Sequence, residues 1–475
     1  MRRRAVRAAA LIGALQMAGC AVGPDYVRPS IDVPAVYSEA GPDSVLWKPA
    51  QPGDRSSRGK WWSIYGDARL DGLMEQVGVT NQTLLGAAAQ VRAANALAEA
   101  ARASWFPTLG ASASATRSST SASSGAGAGS AAGVRTLYAL PVNASWEADL
   151  WGRIDRTVES NDAAAQASAA DLENVRLSIQ AGLAQTYFQL RALDAQRQLL
   201  DTTVAAYAKS LDFARNRHAA GVVSRSDVTQ AETQLKSTQA QAIDLGVQRA
   251  QLEHALAVLL GRPAARGLLA PVPLAGPPPA IPASLPGELL ERRPDIAAAE
   301  RRMAAANAQI GMARAAYFPS VTLSAAAGFQ SASSNQWLSA PSRFWSIGAT
   351  LAETLFDGGR REALGRQAAA NYDASVAAYR GTVLAAFREV EDNLVALRVL
   401  EEEAAVQAEA VLAAEQSLEM VVNQYRAGVV AYQQVVAAQT IALANRRAAA
   451  DILARRMNAS VLLVKALGGG WEAKW

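Results

Sequence analysis

The tetrapeptide Ala-Gly-Val-Val occupies residues 220–223 and returns at residues 427–430, which is 207 positions later. Each copy follows a long stretch without proline, about 152–219 in the first case and about 359–426 in the second. A helix over either stretch would measure on the order of 100 Å, whereas an average helix has only about 11–12 residues. Because glycine commonly ends helices, the sequence predicts two very long helices that each end at a glycine turn.

Other segments show the same duplication. The sequence Trp-Phe-Pro-Thr at 105–108 recurs as Tyr-Phe-Pro-Ser at 317–320. Helical spacings of three, four and seven residues also recur: Leu172, Val175, Ile179 and Leu183 are matched by Val376, Tyr379, Val383 and Phe387. The chain is therefore predicted to contain two tandem repeats, 67–261 and 287–468.

Each repeat is predicted to contain a helix, two strands, a long helix, a turn and a return helix. The first helix is expected at about 67–103, and its counterpart opens at Pro294-Asp295, where proline suits the first helical position. The return helices are expected to end near Leu260 and Leu467. A proline-rich linker, 262–286, joins the repeats, and residues 469–475 form a C-terminal tail.

The strands are predicted at about 106–117, 137–150, 318–329 and 344–356. In the second of these, Leu140, Val142, Ala144 and Trp146 alternate with more polar residues, which is typical of a strand with one apolar face. Apolar and polar faces of this kind are the weak signature of a lipid-facing barrel wall around water. Four strands leave open edges, which lipid does not tolerate, so three copies would supply a twelve-stranded barrel. The alternative is a soluble four-stranded sheet with one face on a core.

The first nineteen residues have the features of an export signal. Arg2, Arg3, Arg4 and Arg7 precede a short apolar run at 8–15, and the small pair Ala18-Gly19 precedes Cys20, the single cysteine. This arrangement resembles a bacterial lipobox. The resemblance implies a signal peptide at 1–19, a diacylglycerol and an N-acyl chain on Cys20, and a lipid-anchored extended segment at 20–66. The alternative is an ordinary secretory signal with a chance cysteine.

Composition argues against several classes of function. Without the four leading arginines, the basic residues equal the 42 acidic ones, which gives no general reason to expect nucleic-acid binding. One cysteine and two histidines cannot build an ordinary structural zinc site. No motif places a nucleophile beside a base, and no later stretch has 18 consecutive apolar residues. We therefore expect no enzyme activity, no metal, no cofactor beyond the acyl chains and no transmembrane helix.

Several motifs in order resemble the TolC-like outer-membrane factors, in particular the lipoprotein branch paired with RND-type efflux pumps. The motifs are Val22–Tyr26, Trp61-Trp62, Arg293–Glu300, Phe356–Arg360, Arg388–Asp392 and Tyr425–Gly428. The resemblance covers nearly the whole mature chain. It implies a mainly α fold with membrane β: a trimeric 12-stranded outer-membrane β-barrel continuous with a 12-helix periplasmic α-barrel.

The resemblance also implies a function and its partners. The protein would be the passive exit duct of a tripartite efflux pump for drugs or other small molecules. Its partners would be two sister copies, a periplasmic adaptor, an inner-membrane RND transporter and outer-membrane lipid. Two alternatives remain open: the outer-membrane duct of a type I protein secretion system, and a structural periplasmic coiled-coil lipoprotein without a barrel.

Candidate site residues lie at the two glycine turns. In the family these turns form the inner mouth of the tunnel, which polar links between two hairpins hold shut. By this likeness Ser226 and Asp227 take the lock positions of the first hairpin, and Tyr425 is their partner. A hydrogen bond from Tyr425 to Asp227 would be charge-assisted. Asp227 has a second interpretation, as a cap of the return helix.

Two departures from the family pattern bear on this mouth. Some relatives carry an arginine where this chain has Val430, and relatives with an acidic pore ring carry aspartates where it has Gln434 and Ala437. Gln434 is thus a candidate gate residue, but no cation-binding acidic ring is expected. The turn residues expected to contact the adaptor are Gly221, Val222, Val223, Gly428, Val429 and Val430.

Overall fold

The computed structural model describes residues 22–30, 37, 59–119, 134–264, 267–274, 276–281 and 292–469. The chain divides into two compact units. The first comprises residues 1–30, 91–168 and 299–379, and the second comprises 31–90, 169–298 and 380–475. As predicted, the fold is mainly helical with a smaller β part. None of the helices that the structure describes is both long enough and apolar enough to cross a membrane.

The first unit contains one antiparallel sheet. Its strands are β1 (Thr108–Ala111), β2 (Ser114–Ser119), β3 (Val134–Ala148), β4 (Ser320–Ser331) and β5 (Arg343–Ala352). Strand β3 pairs with β4 and β4 with β5, whereas β1 and β2 both pair with β3. The single strand predicted at 106–117 is therefore wrong, because the chain leaves the ladder between Ala111 and Ser114. The strand predicted to reach residue 356 ends at Ala352.

The first predicted helix, 67–103, is also wrong as a single element. The structure has two helices, α1 (Ala68–Thr80) and α2 (Gln82–Ala103). Asn81, between them, adopts an extended backbone conformation, and its side-chain oxygen accepts a hydrogen bond from the Leu84 amide at 3.0 Å. Its amide nitrogen donates to the Leu259 carbonyl at 2.7 Å. Asn81 thus ends α1, caps α2 and connects the junction of these two helices to the end of the first return helix.

The long helices have nearly the predicted bounds. They are α3 (Arg153–Ala219) and α6 (Arg360–Arg426), followed by the return helices α4 (Arg225–Leu259) and α7 (Tyr432–Ala466). Helix α5 (Pro294–Ala315) is the predicted first helix of the second repeat. In the second unit a hydrophobic core forms around Trp61, Tyr187, Leu190 and Leu256. The Trp61 indole donates to Gln180 at 3.2 Å. This core fixes the helices from which the turns project.

Buried charges fasten part of the linker to α3 and α4. Asp194 accepts from Arg249 at 2.8 Å and from the Val272 amide at 3.0 Å. Arg249 also pairs with Glu253 at 2.8 Å and donates to the Leu269 carbonyl at 2.7 Å. Because each buried charge has a partner, this network avoids the desolvation cost of an isolated ion. The linker predicted at 262–286 is thus docked where the structure describes it.

The N-terminal segment Val22–Ser30 packs on the helices of the first unit. The Val22 amide donates to the Trp151 carbonyl at 3.1 Å, and Asp25 pairs with Arg156 at 2.9 Å. Gly23, with φ +121°, passes so close to Gly311 that a Cβ on Gly23 would lie 2.6 Å from the Gly311 Cα. Glycine is required at this crossing. The predicted signal peptide 1–19, lipidated Cys20 and most of the tail 469–475 lie outside the described residues.

Candidate functional site

The two glycine turns have the same backbone. Gly221 has φ 74° and Gly428 has φ 80°, in the left-handed region that glycine adopts without strain. The residue after each glycine donates its amide back into the helix, Val222 to the Arg217 carbonyl and Val429 to the Gln424 carbonyl, both at 2.9 Å. This is the Schellman pattern of helix ends. Val222 is 58% exposed and Val429 is 73% exposed, so both turns present an apolar side chain to solvent.

The first turn, between α3 and α4, satisfies its polar groups locally. Ser224 is the N-cap of α4: its hydroxyl accepts from the Asp227 amide at 3.3 Å and donates to the Asp227 carboxylate at 3.2 Å. His218 Nδ1 lies 2.9 Å from the Val223 carbonyl oxygen. The cap is therefore Ser224, whereas Asp227, which the sequence offered as a cap, lies in the first turn of α4 and is bound to Ser224.

The second turn, between α6 and α7, has an aromatic environment instead. Ala431 occupies the N-cap position and makes no side-chain cap. Tyr425 and Tyr432 are only 5% and 2% exposed, and their ring centroids lie 5.2 Å apart at a tilt of 61°. They belong to a hydrophobic cluster, here called the tip cluster, whose buried members are Tyr207, Leu211, Ala214, Ala231, Leu235, Tyr425, Tyr432 and Val435. The second turn is thus held by packing against α3 and α4, the two helices of the first hairpin.

Arg217 connects the two hairpins. From the last turn of α3, its Nη1 donates to the Tyr425 carbonyl at 3.0 Å. Its guanidinium carbon lies 5.3 Å from the centroid of the Tyr425 ring and 5.6 Å from that of Phe213. Sequence reasoning missed this residue, because a single basic residue at a helix end has many possible partners.

The predicted lock residues are near one another but are not bonded within one chain. Among the described residues the Tyr425 hydroxyl has no hydrogen-bond partner, and the Asp227 carboxylate is held by Ser224. Burial raises the pKa of Tyr425, the charge of Asp227 raises it further, and the charge of Arg217 opposes both. The Ser226 hydroxyl accepts from Gln230 at 3.4 Å, and Gln434 is exposed. The hydrogen bond between Tyr425 and Asp227 stays a prediction.

A cavity of about 520 Å³ lies beside the tip cluster, between α3, α6 and α7. Its lining includes Tyr207, Phe213, Tyr425, Tyr432, Gln439 and Arg446. The buried Gln439 Oε1, like the Tyr425 hydroxyl, has no partner among the described residues. No group of three or more His, Cys, Asp or Glu side chains that could hold a metal ion occurs in the described part of the chain. The site combines polar and aromatic contacts between helices of the two hairpins.

Comparison with known proteins decides the family. The model of the family described as "Outer membrane efflux protein" matches residues 73–262 and 285–469. The chain belongs to the outer membrane efflux protein family. The matched segments end just beyond helices α4 and α7, so each includes one of the two turns.

Individual relatives agree with this assignment. The efflux protein is 32% identical to outer membrane protein OprJ of Pseudomonas aeruginosa, over 99% of this chain and 97% of OprJ. It is likewise 32% identical to the pyoverdine export outer membrane protein OpmQ of the same species, over 91% of this chain and 92% of OpmQ. The solved structure of the outer-membrane channel OprN matches with a TM-score of 0.84 and 31% identity, over 95% of this chain and 100% of OprN. The resemblance and the function as an outer-membrane channel of efflux pumps are confirmed.

Proposed function

We propose that three copies of this efflux protein form a passive exit channel, with the sheet in the outer membrane and the glycine turns, at the C-terminal ends of the long helices, as a gate. The observation that carries the proposal is the two-faced sheet of the first unit. In its cross-strand register Val142 lies opposite Ala327 and Ala327 opposite Trp345, while Trp146 lies opposite Leu323. All of these side chains share one face of the sheet.

This face is apolar and exposed in the single chain. It carries Leu109, Val142, Trp146, Leu323, Trp345, Ile347 and Leu351, all of them exposed. The opposite face carries smaller or polar residues of β3 and β4, including Asn143, Ser145, Glu147, Thr322 and Ser324. A continuous exposed apolar face of this kind is unusual on a soluble protein and indicates contact with lipid or a partner, and its polar reverse suits a water-filled lumen.

Among the described strands the sheet also has two unpaired edges, one along β1 and β2 and one along β5. Lipid cannot satisfy the backbone groups of an open edge, so we propose that β5 of one copy pairs with the first strands of the next. Because β1 and β2 follow one another along the same edge of β3, each chain contributes four strand positions, and three copies would then close a twelve-stranded barrel continuous with twelve long helices. Exposed aromatic residues where helices meet strands, Trp105, Phe106, Tyr317 and Phe318, suit the membrane interface.

The turns are proposed to form the gate. Polar and aromatic contacts join the first hairpin (α3, its turn and α4) to the second (α6, its turn and α7), so the resting state is the one with the hairpins together. The exposed Val222 and Val429 would meet a periplasmic adaptor, and an inner-membrane RND pump would supply the energy. Adaptor binding can open the gate only through its higher affinity for the open state.

A lipid on Cys20 completes the proposal. The docked segment Val22–Ser30 begins two residues after this cysteine, so the acyl chains would be attached beside the first unit. Mass spectrometry of the mature protein checks the modification, which should begin the chain at Cys20 and add a diacylglycerol and an N-acyl chain.

Single-channel recording in planar bilayers tests the channel and its lock. The reconstituted wild type should conduct poorly at rest, and the double variant Asp227→Ala with Tyr425→Phe should open more often or more widely, because it removes both proposed lock groups. Val222→Ala, at an exposed turn position, is the matched control and should behave as the wild type. A correctly assembled double variant with unchanged conductance would disprove the lock, whereas a wild type that never conducts would disprove the channel.

A further inference from the structure

We propose that Arg217 is a positioning residue of the gate: from the first hairpin it binds the end of the second hairpin and favours the resting state. The inference rests on the proposed function, because it assigns a residue to the gate of that channel. Neither the lock residues Ser226, Asp227 and Tyr425 nor the turn residues include it.

A hydrogen bond at the end of α6 joins the two hairpins. The Tyr425 carbonyl accepts from the Gly428 amide at 3.0 Å and also from Arg217 Nη1 at 3.0 Å. The last carbonyls of a helix carry partial negative charge and lack partners in the helix. A guanidinium at this point therefore makes a charge-assisted hydrogen bond. Because the donor lies on α3 and the acceptor on α6, the bond exists only while the two hairpins are adjacent.

The Arg217 guanidinium also contacts two aromatic rings, those of Phe213 and Tyr425. Phe213 precedes Arg217 by one helical turn on α3, and Tyr425 comes from α6; the ring centroids are 6.2 Å apart. The cation lies within the range of cation–π attraction of both rings. Among the described residues Arg217 forms no ion pair with a carboxylate. Its charge is therefore balanced by the carbonyl and the rings, and separation of the hairpins removes the carbonyl and one ring together.

Two further polar contacts join the hairpins. Gln234 on α4 donates to Thr440 on α7 at 3.4 Å, and Arg447 on α7 donates to Gln241 on α4 at 3.1 Å. Both are contacts between exposed side chains further along the return helices. Arg217 combines a shorter bond with a fixed backbone acceptor beside the turn, where a small change in separation has the largest effect on a gate.

Val430, in the second turn, packs against the tip cluster. The cation beside the Tyr425 ring comes from α3, in the form of Arg217.

The repeat supplies a matched control. Arg217 and Gln424 stand at equivalent positions, four residues before the two turn glycines. Gln424 is exposed, and its side chain makes no such bond. Arg217→Gln therefore places at the first turn the residue that the second turn already has, and Gln424→Ala tests whether any change at this position disturbs a turn.

The experiment is single-channel recording of the full-length assembly with wild type, Arg217→Gln, Arg217→Lys and Gln424→Ala. We expect Arg217→Gln to lower the ratio of resting to open states by about tenfold per subunit, the combined effect of one charge-assisted hydrogen bond and one partly buried cation–π contact. Arg217→Lys, which keeps the charge and a donor but not the planar stacking group, should restore part of the difference. Gln424→Ala should match the wild type.

Thermal unfolding of each assembly separates gating from folding. A gating role predicts altered opening in Arg217→Gln with an unchanged melting temperature, and partial rescue by lysine. Opening of Arg217→Gln equal to that of a conducting wild type would overturn the role of Arg217 and leave the channel intact. If Arg217→Gln fails to assemble, Arg217→Lys tests the gating role in its place. Opening of Arg217→Lys equal to that of the wild type would exclude a contribution from the contacts of the guanidinium with the Phe213 and Tyr425 rings. A wild type that never conducts would overturn the channel itself and the gating role with it.

Discussion

The two turns have the same four residues, the same glycine conformation and the same return hydrogen bonds, yet they are stabilised in different ways. His218 and Tyr425 stand at equivalent positions, three residues before each glycine. His218 is exposed and contacts its own turn, whereas Tyr425 is buried against the opposite hairpin. The comparison shows that the repeated sequence determines the backbone of the turn, while the residues that are not repeated determine whether the turn stands alone or depends on its neighbour.

The largest expected effect is the difference in stability loss between truncating Tyr425 and truncating His218. Tyr425→Ala should destabilise the second turn locally by about 3 kcal/mol, because it removes a buried aromatic ring and leaves a cavity. His218→Ala should cost about 0.5 kcal/mol or less, since it loses one exposed contact. Hydrogen exchange of the amides at 420–435 and 213–228 measures both. Equal losses of amide protection at the two turns would contradict the prediction that only the second turn depends on the opposite hairpin.

Alkaline pH should affect the second turn selectively. Burial raises the pKa of Tyr432 from 10.0 to about 12, and the charges of Tyr425, Tyr207 and Asp227 add to the shift. A pKa raised on folding means that stability is complete below pH 10 and is lost as pH rises towards 12. The effect should be on the order of 2 kcal/mol. The protection factors of the amides at 426–435, from which the intrinsic base-catalysed rate is divided out, should fall over this range.

The control for the alkaline experiment is Tyr432→Phe, which removes the ionisable hydroxyl and keeps the ring. This variant should lose most of the pH dependence of the second turn. The first turn, observed in the same samples, should show little change over the same range. A wild-type second turn that is as protected at pH 12 as at pH 9 would contradict the prediction.

The smallest expected effects come from exchanging the N-cap residues of α4 and α7. Ser224→Ala should destabilise α4 by about 1 kcal/mol, because the Asp227 amide loses its side-chain acceptor. Ala431→Ser should stabilise α7 by about 0.5 kcal/mol, because it supplies the cap that the second turn lacks. Exchange rates of the first-turn amides of each helix report both changes. If serine at 431 has no effect, the aromatic packing already fixes the start of α7.

Much of the fold could be predicted because it depends on local sequence. The long helices α3 and α6 follow from stretches without proline, and their ends follow from Gly221 and Gly428. The break at Asn81 was missed because it depends partly on the Leu259 carbonyl, 178 residues away. The interruption of the first strand was missed because its serine- and alanine-rich sequence alternates only weakly. At the site, the positions of the turns could be predicted, but the role of Arg217 could not, because its acceptor lies 208 residues further along the chain.

The bond between the Val22 amide and the Trp151 carbonyl has a consequence for the depth of the protein in the bilayer. Only Ala21 separates this fixed point from Cys20, and two residues of extended chain span at most about 7 Å. Acyl chains on Cys20 would therefore enter the leaflet within a short radius of Trp151, just beyond the end of β3. The anchor would then be a short tether, and its length would limit the height of the sheet relative to the inner leaflet of the outer membrane.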